Sequence, residues 1–582
     1  MSSPTPSRVP GSLGPVQRER DLDRLAEEHF DVLVIGGGIT GVGCALDAAT
    51  RGLSVALVEQ RDIASGTSSR SSKLLHGGLR YLEQRDFALV REALHERGLL
   101  TKKVCPHLVR PISFLIPLTG RIWQRAYYGA GVLLYDLLAW IGRNPLPWHR
   151  HLSKKRALEL VPGLKRSSLI GGIVYSDAQV DDARHTLAVA RTAARHGAAV
   201  AISTRVTDLV IDESSGTRTV VGAELEDLEG GRTVTCRATK VVNATGVWID
   251  DIQDMAGPAG LTVRAAKGVH IVVPRDRIES DSGIVLRTSK SVLFIIPWGV
   301  HWLIGTTDTD WDHDRAHPAA SQADIDYILE QANVALESQL TEDDIVGVYA
   351  GLRPLVSGAE DDDTTEISRE HAVAQPTPGL VSIAGGKYTT YRVMAADTID
   401  MCAAGIDRDV PPSCTEDVTL LGSEQWAEWV DRAPQLAAEH DLPERLVERL
   451  LWRHGTRIAD VFDLLDEDDG LRTVLGDLYV AAEIIHACRH EGAIHLEDVL
   501  ARRLRISIEG EARGTAIAHD VADLMAGELG WDDDRTAAEI RAWHRRVEAE
   551  RAANDAPDDE AADALRRGAI DARGLVDSGA AD

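Results

Sequence analysis

The feature that most constrains this sequence is a strand–turn–helix–strand unit close to its N-terminus. Residues 31–60, DVLVIGGGITGVGCALDAATRGLSVALVEQ, contain two continuous apolar runs that predict parallel strands buried on both faces. Gly36, Gly38 and Gly41 match the spacing GxGxxG, and Glu59 closes the second strand 18 residues after the last glycine. This arrangement predicts a dinucleotide-binding α/β domain.

Each part of this unit has a physical role in the prediction. The first glycine permits a tight turn, the second lets the main chain approach a pyrophosphate, and the third allows the helix to pack closely on the strand. The helix N-terminus faces the negative charge, and the terminal acid is expected to reach a ribose hydroxyl. The predicted cofactor contacts here are Gly36, Gly38, Ile39, Thr40, Gly41, Glu59 and Gln60.

Length and composition restrict the remaining possibilities. A chain of 582 residues exceeds the size of one hydrophobic core, so two or three structural units are expected. Six scattered cysteines without a CxxC pair predict a reducing cytosol and no zinc or other metal site. The net charge of −28 argues against a nucleic-acid partner. The longest apolar stretch, 129–142, is too short to span a bilayer, and no secretory signal is predicted.

One segment reverses the charge balance. Between Arg97 and Arg156 there are eleven Lys or Arg residues and a single acid, Asp136, a net charge of +10. A basic, aromatic-rich face on an acidic protein predicts a peripheral membrane-surface patch. In the alternative interpretation, the aromatic side chains pack a core and the cations form a solvated rim. The aromatic residues are Phe114, Trp123, Tyr127, Tyr128, Tyr135, Trp140 and Trp148.

Later segments predict the cofactor and the domain order. A strand within residues 233–252 ends in Ala244, Thr245 and Gly246, and it follows a helix–strand pattern that contains Val206. A strand ending in ATG resembles the second flavin-binding signature of FAD oxidoreductases of the glutathione-reductase and amino-acid-oxidase type. The cofactor is therefore expected to be FAD, and Val206, Ala244, Thr245 and Gly246 are further predicted cofactor contacts.

The predicted fold class is α/β, a Rossmann-like FAD-binding domain with an inserted antiparallel-sheet substrate domain and a C-terminal α-helical domain. The FAD-binding domain is expected to be discontinuous, because its patterns return after the substrate segment. The predicted boundaries are a disordered tail at 1–27, FAD-binding segments at 28–105, 171–261 and 349–411, a cap or membrane-surface segment at 106–170, a substrate domain at 262–348, a helical domain at 412–552 and a disordered tail at 553–582.

Two further stretches have the residue types expected beside a flavin. In SGTSSRSSKLLHGGLRYLE, 65–83, hydroxyls and backbone amides can bond a pyrophosphate or a flavin ring, and glycines let the main chain pass against a planar ring. In LVSIAGGKYTTYR, 380–392, a strand runs through a glycine pair into a helix. The predicted cofactor contacts in the two stretches are Ser68, Ser69, Ser72, Lys73, His76, Gly77, Gly78, Gly385, Gly386, Lys387 and Thr389.

The order of these motifs identifies a resemblance. GGGITG, SSRSSKLLHGGLRYLE, NATG, KGVHIVVP, IIPW, IGTTD, GLRPL, GGKYTTYR and DVLARR occur as in the FAD-dependent glycerol-3-phosphate dehydrogenases, to which the sequence is similar from about residue 28 to 550. Tyr388 stands where many relatives have leucine. The resemblance implies oxidation of sn-glycerol 3-phosphate to dihydroxyacetone phosphate, with FAD reoxidised by a membrane quinone. It also implies that Arg80, Arg353 and Lys387 are the cations that bind the substrate.

The roles within that site remain hypotheses. Arg353 and Lys387 are expected to hold the phosphate or polarise the hydroxyls, and Arg80 to lie closer to the reacting centre. His76 is the leading candidate for the base that removes the hydroxyl proton, although it could instead bond the flavin or a nearby carbonyl. Thr307 and Asp308 end a substrate-domain strand, where a strand-terminal cap is the favoured role and lining of the cleft is the alternative. We expect structural roles for His270, His301 and His371.

Three functions stay open at this point. The first is a quinone-linked dehydrogenase on the cytoplasmic membrane face, with a homodimer as one hypothesis for its assembly. The second is an oxidase on the same fold that passes electrons to dioxygen and releases hydrogen peroxide. The third is a flavin-binding scaffold without catalysis, whose helical domain recruits a partner.

Overall fold

The computed structural model describes residues 10–78, 82, 86–120, 123–142, 146–214, 216–257, 260–288, 292–356, 370–476, 479–569 and 571–575. Its strands are β1 His29–Ile35, β2 Val55–Val58, β3 Leu74–Leu75, β4 Val109–Leu118, β5 Arg150–Ser153, β6 Gly171–Val180, β7 Ala199–Ala201, β8 Thr204–Asp212, β9 Thr219–Asp227, β10 Thr233–Asn243, β11 Val263–Pro274, β12 Gly283–Arg287, β13 Val292–Trp298, β14 His301–Gly305, β15 Thr309–Asp310, β16 Gly347–Val356, β17 His371–Thr377, β18 Leu380–Gly385, β19 Val474–Leu475 and β20 Tyr479–Val480.

Its α-helices are α1 Pro15–Glu27, α2 Ile39–Thr50, α3 Phe87–Leu99, α4 Trp123–Ile141, α5 Lys154–Leu160, α6 Asp182–Arg195, α7 Ile249–Ala256, α8 Gln322–Ala335, α9 Tyr391–Ala403, α10 Trp426–Asp431, α11 Ala433–Glu439, α12 Glu444–His454, α13 Ile458–Glu467, α14 Ala481–His490, α15 Ile506–Glu509, α16 Ala518–Leu529, α17 Asp533–Asn554 and α18 Asp559–Arg567. Two π-helical turns, Leu100–Val104 and Asp498–Arg503, are also present.

The first sheet is the predicted dinucleotide-binding sheet. Its strands follow the order β17-β18-β10-β1-β2-β7, and β18, β10, β1, β2 and β7 run parallel to one another. Val34 in the central strand β1 pairs with Val242 of β10 and with Leu57 of β2. Helices α2, α6 and α9 cover one face and α1 and α7 pack against the other, so these strands are buried on both sides as their apolar sequences predict.

The second sheet is mostly antiparallel and forms the other side of the molecule. Its strands follow the order β15-β11-β14-β13-β12-β4-β6-β3, with β16 paired along β11. It therefore extends beyond the predicted substrate segment 262–348. Strands β4 and β6 pair over ten residues, and β16 aligns Arg353 opposite Ala266. The apolar strand VRPISFLIPL, β4, thus belongs to this sheet rather than to a separate cap.

The C-terminal domain is helical, as predicted, and has its own core. Val447, Leu450, Ile484 and Leu500 are among the buried residues of this core. Buried ion pairs join the domain to the FAD-binding domain: both oxygens of Glu491 accept hydrogen bonds from Arg184 at 2.7 Å. The helical domain is therefore fixed against the first sheet.

The two predicted disordered tails are ordered over much of their length. In the first tail, the apolar positions of α1 recur at helical spacing, so the helix buries Leu22 and Leu25. Arg18 of the same helix pairs with Asp227. In the second, α18 packs on α17, and residues 571–575 continue along the FAD-binding domain. Composition alone does not reveal either segment, since it reports neither the helical spacing of apolar residues nor the ion pairs that also anchor both segments.

Helix α4 lies within the predicted basic, aromatic segment. It buries Val132, Tyr135 and Ala139 and exposes several large apolar side chains on its opposite side. Among the described helices, none combines the length and the apolar character needed to cross a bilayer.

Several histidines lie in the interior, where burial lowers the pKa of the imidazole. The pKa of His185 falls to about 4 and that of His454 to about 3, and burial is the largest cause in both. Burial also holds the pKa values of His107, His270 and His317 well below the usual value. These side chains are therefore neutral at physiological pH.

We expect the free energy of unfolding to fall as the pH is lowered from 7 to 5. Below pH 6.5 the unfolded chain binds protons that these buried histidines do not accept, so acid favours unfolding. For His185 alone the loss is about 2 kcal/mol over this range. Urea denaturation at both pH values measures the loss. His185→Gln should reduce it and the exposed control His519→Gln should not; an equal loss in wild type and His185→Gln would refute this account.

Candidate active site

A cavity of about 480 Å³ lies between the loops at the edge of the first sheet and the face of the second sheet. This volume is in the range of small-molecule and cofactor sites. The predicted site residues that line it are Gly36, Gly38, Ile39, Thr40, Glu59, Gln60, Ser68, Ser72, His76, Val206, Ala244, Thr245, Gly246, Arg353, Gly385, Gly386, Lys387 and Thr389.

Some predicted residues lie elsewhere. Gly41, Ser69, Lys73, Gly77 and Gly78 are outside the lining of this cavity. Arg80 lies outside the described residues, so its placement stays a prediction.

The glycine loop begins at the end of β1 and leads into α2. Gly36 has a φ of +113°, a conformation that favours glycine. A Cβ at Gly41 would overlap the carbonyl oxygen of Gly36, which explains why Gly41 serves helix packing and does not reach the cavity. At the start of α2, the amide of Ile39 donates to the hydroxyl of Ser68 at 2.9 Å. The serine loop, residues 65–73, is thereby held at the N-terminus of α2.

Glu59 follows β2 directly and faces the glycine loop. Its two carboxylate oxygens accept hydrogen bonds from the amides of Gly37, at 2.7 Å, and Arg61, at 2.8 Å. Burial raises the pKa of this carboxyl, and the two amides act in the opposite direction. Glu59 thus orders the loop around the predicted ribose end of the cavity.

Lys73 does not contact the cavity as the sequence suggested. Its side chain is fully buried and its Nζ lies 3.0 Å from a carboxylate oxygen of Asp182 at the start of α6. Arg505 of the helical domain pairs with the same carboxylate. Burial lowers the pKa of Lys73, and the positive charge of Arg505 adds to this effect. Lys73 therefore links the serine loop to α6 and the helical domain.

The HGG segment and the GGKYTT segment meet inside the molecule. The amide of His76 donates to the hydroxyl of Thr389 at 3.3 Å, although 313 residues separate them. Gly77 faces away from the cavity, where its amide donates to the Tyr135 hydroxyl at 2.7 Å and a Cβ would collide with Leu94. His76 is thus the residue of this segment that faces the cavity.

Arg353 is held on β16 by a set of oxygen acceptors. Its guanidinium donates to a carboxylate oxygen of Asp308 at 3.0 Å and to the Thr306 hydroxyl and Thr307 carbonyl at 3.1 Å each. The Thr307 hydroxyl accepts the amide of Val269, so it caps the strand as predicted from sequence. Asp308 has a further role, since it orients the arginine.

Lys387 follows β18 and the two glycines, whose φ values are +74° and +77°. The next residue is Tyr388. Its hydroxyl donates to the Asp182 carbonyl at 2.7 Å and lies 3.1 Å from both His185 Nδ1 and the Thr186 hydroxyl. Tyr388 therefore links the loop that contains Lys387 to α6.

His270 is a cavity residue that the sequence did not reveal. It lines the cavity from β11, stacks on Tyr349 with ring centroids 4.9 Å apart, and its Nε2 lies 2.8 Å from the Ser72 hydroxyl. Burial, together with the charges of Lys73 and Arg353, lowers its pKa well below the usual value. Its position within the motif KGVHIVVP was the available signal.

Other lining residues were also missed, and Arg70 and Leu575 are two of them. Arg70 lies in the serine loop, and its NH1 donates to the Ala316 carbonyl at 3.1 Å. Burial and then the charge of Arg546 lower its pKa to about 9. Leu575 comes from the C-terminal segment that composition assigned to a disordered tail.

In the described part of the chain, His454, His486 and Glu491 form one group with metal-like spacing. Arg184 donates to both Glu491 oxygens, so a cation already occupies that carboxylate. A metal ion would lie against the guanidinium, and this repulsion disfavours binding.

The chemistry of the main cavity fits FAD. One end has the N-terminus of α2 with a glycine loop, which suits a pyrophosphate, and Glu59 beside it. The other end is lined by the positive residues Arg353 and Lys387 and by His76.

Comparisons with known proteins agree with this fit. Residues 31–392 match the model of the FAD dependent oxidoreductase family, and residues 413–536 match the C-terminal domain of alpha-glycerophosphate oxidase. The chain is 55% identical to a glycerol-3-phosphate dehydrogenase of Mycobacterium leprae, over 97% of this chain and 95% of that protein. It is 37% identical to the human mitochondrial glycerol-3-phosphate dehydrogenase, over 90% of this chain and 74% of that protein.

A solved structure is also similar over nearly the whole chain. The glycerol-3-phosphate dehydrogenase from Bacillus halodurans, complexed with FAD, has a TM-score of 0.74 and 30% sequence identity, covering 93% of this chain and 97% of that chain. The fold, the FAD-type cavity and these similarities lead to one conclusion. The chain belongs to the family of FAD-dependent glycerol-3-phosphate dehydrogenases.

Proposed function

We propose that this protein oxidises sn-glycerol 3-phosphate to dihydroxyacetone phosphate with FAD and passes the electrons to a membrane quinone. The observation that carries the proposal is the convergence of His76, Arg353 and Lys387 on one cavity. They come from three distant segments, and the same cavity has a dinucleotide-binding loop at its other end. The names of the similar proteins support the same substrate.

The two cations suit the phosphate group of the substrate. A charge-assisted hydrogen bond contributes about 1.5–3 kcal/mol, and two of them both bind and orient a small molecule. Asp308 and Thr306 fix the plane of the Arg353 guanidinium before substrate arrives. Less conformational entropy is then lost on binding. Arg80 remains the predicted third cation, nearer the reacting carbon.

Oxidation of the central carbon also requires removal of its hydroxyl proton. When bound, FAD supplies the two-electron acceptor for the hydride of this carbon. We assign the removal of this proton to His76, whose main chain is fixed by Thr389 and whose side chain lines the cavity. His270 is the second candidate, because its imidazole also lines the cavity, but burial and the charges of Lys73 and Arg353 lower its pKa and make it a weaker base. Its contact with Ser72 favours a positioning role.

The exposed side of α4 supports docking on a membrane surface. Trp123 is 77% exposed and Trp140 58%, and Leu133, Leu137 and Ile141 are also exposed. The segment around them has a net charge of +10. Apolar rings within a basic segment suit the interface of an anionic bilayer, where each exposed Lys or Arg contributes about 1 kcal/mol; Arg97 is buried against Asp177 and does not take part. We therefore propose a peripheral location beside the quinone pool.

We expect His76→Asn to slow flavin reduction by glycerol 3-phosphate by about 100-fold or more while FAD content stays unchanged, since general base catalysis contributes 10²–10⁴. Anaerobic stopped-flow spectroscopy of the purified holoenzyme measures the rate. His270→Asn is the comparison and should have the smaller effect. Unchanged reduction in His76→Asn would exclude His76 as the base, and wild-type flavin that glycerol 3-phosphate never reduces would favour the scaffold.

The acceptor is tested in the second half of the same experiment. Substrate-reduced enzyme is mixed with a soluble quinone or with dioxygen, and reoxidation and peroxide are followed. We expect the quinone to react faster and little peroxide to form. Faster reoxidation by dioxygen with stoichiometric peroxide would replace the proposal with the oxidase alternative.

Membrane docking is tested by flotation with anionic vesicles. We expect the double variant Trp123→Ser/Trp140→Ser to bind about 30-fold more weakly, because burying part of each ring contributes on the order of 1 kcal/mol, about 2 kcal/mol for the two. Val334→Ser is the matched control, since Val334 is 65% exposed on a helix outside this patch. Equal flotation of the double variant and the control would show that α4 does not dock.

A further inference from the structure

The segment after α18 reaches the cofactor cavity from the C-terminal end of the chain. Residues 571–575 lie along the FAD-binding domain, and Leu575 is only 8% exposed. Leu575 lines the same cavity as Glu59, Gln60 and Val206. The two family matches end at residues 392 and 536, so they do not include this segment.

Arg573 anchors the segment to the helical domain. Its guanidinium is 3% exposed and lies 3.0 Å from a carboxylate oxygen of Asp498, whose side chain is fully buried. Its Nε donates to the hydroxyl of Ser203, next to the cavity residue Thr204. A buried charge pair of this kind is costly to break, because removal of one partner leaves the other charge unpaired.

Asp571 anchors the segment to the loop that contains Glu59. One carboxylate oxygen accepts a hydrogen bond from the Arg61 guanidinium at 3.0 Å, and the Arg61 amide in turn donates to Glu59 at 2.8 Å. The other carboxylate oxygen accepts the amides of Arg573 at 3.0 Å and Leu575 at 3.1 Å. Asp571 thus fixes the turn that directs Leu575 toward the cavity.

We propose that residues 571–575 are part of the FAD site, with Leu575 covering its ribose end and Asp571 and Arg573 acting as positioning residues. Glu59 marks this end of the cavity, because an acid after the second strand of the unit binds the ribose. The apolar side chain excludes water from the cofactor, and its two anchors reduce the entropy lost when it closes over the ligand. This role of the segment rests on the binding of FAD in the proposed function and does not depend on which substrate or electron acceptor the protein uses.

The segment and the cofactor should stabilise each other. If contact with Leu575 favours bound FAD, then bound FAD favours the ordered segment by the same free energy. The helical domain, through Asp498, would then contribute to FAD retention although none of its described residues lines the cavity. Retention of FAD is therefore the quantity to measure.

The test compares two truncations of the full-length holoenzyme. Deletion of residues 571–582 removes the segment, and deletion of residues 576–582 is the matched control that keeps Leu575. After dilution, the rise of free-flavin fluorescence gives the FAD dissociation rate without any substrate. We expect the longer deletion to release FAD at least about tenfold faster, which corresponds to about 1.4 kcal/mol, and the control to behave as wild type.

A point variant keeps the proposal testable if the longer deletion impairs folding. Leu575→Ser leaves both anchors in place, and we expect its FAD release to be several-fold faster than that of wild type with an unchanged thermal midpoint of the helical domain. FAD release at the wild-type rate in both Leu575→Ser and the 571–582 deletion would overturn the proposal. A wild-type protein purified without FAD would instead refute the FAD part of the proposed function.

Discussion

Parallel pairing of β18, β10, β1 and β2 is the constraint on which the rest of the structure depends. Parallel strands end at the same edge of a sheet, so the segments that follow them must meet there. This edge brings together the glycine loop after β1, Glu59 after β2, Thr245 after β10 and Lys387 after β18. Residues more than 340 positions apart thereby line one cavity, and the second sheet closes it by presenting Arg353 and His270.

Buried charge pairs hold this edge against the helical domain. The Asp182 carboxylate accepts a hydrogen bond from the Ser71 hydroxyl and forms ion pairs with Lys73 of the serine loop and Arg505 of the helical domain. Asp62 pairs with Arg503 at 2.7 Å. Such pairs contribute little net stability compared with apolar packing, but each is costly to break singly. Their effect is geometric. They hold the cavity loops on the side that faces the helical domain, so the side that faces the cavity remains available for ligands. The same logic explains why the C-terminal segment, held by Arg573, reaches the cavity in a fixed position.

Local patterns predicted the parts of the site that depend on neighbouring residues. The glycine loop, the acid at Glu59 and the ATG segment, 244–246, that follows β10 lie at the sheet edge as their sequences indicate. Residues whose direction depends on distant partners were not predictable in this way. Lys73 turns toward Asp182, Gly77 packs on Leu94, and His270 reaches the cavity only because β11 crosses the second sheet beside β16. Composition indicated disorder in the tails because it takes no account of the helical spacing of apolar residues or of ion pairs with distant partners, such as Arg18–Asp227 and Arg573–Asp498.

The central claim is that one cavity places a flavin beside cations that bind the phosphate of the substrate. Anaerobic flavin reduction by glycerol 3-phosphate, compared with reduction by glycerol at the same concentration, tests it directly. Glycerol has the same reacting carbon and hydroxyls but no phosphate. Loss of two charge-assisted hydrogen bonds predicts that glycerol reduces the flavin at least about 100-fold more slowly. Equal rates with the two compounds would contradict the account.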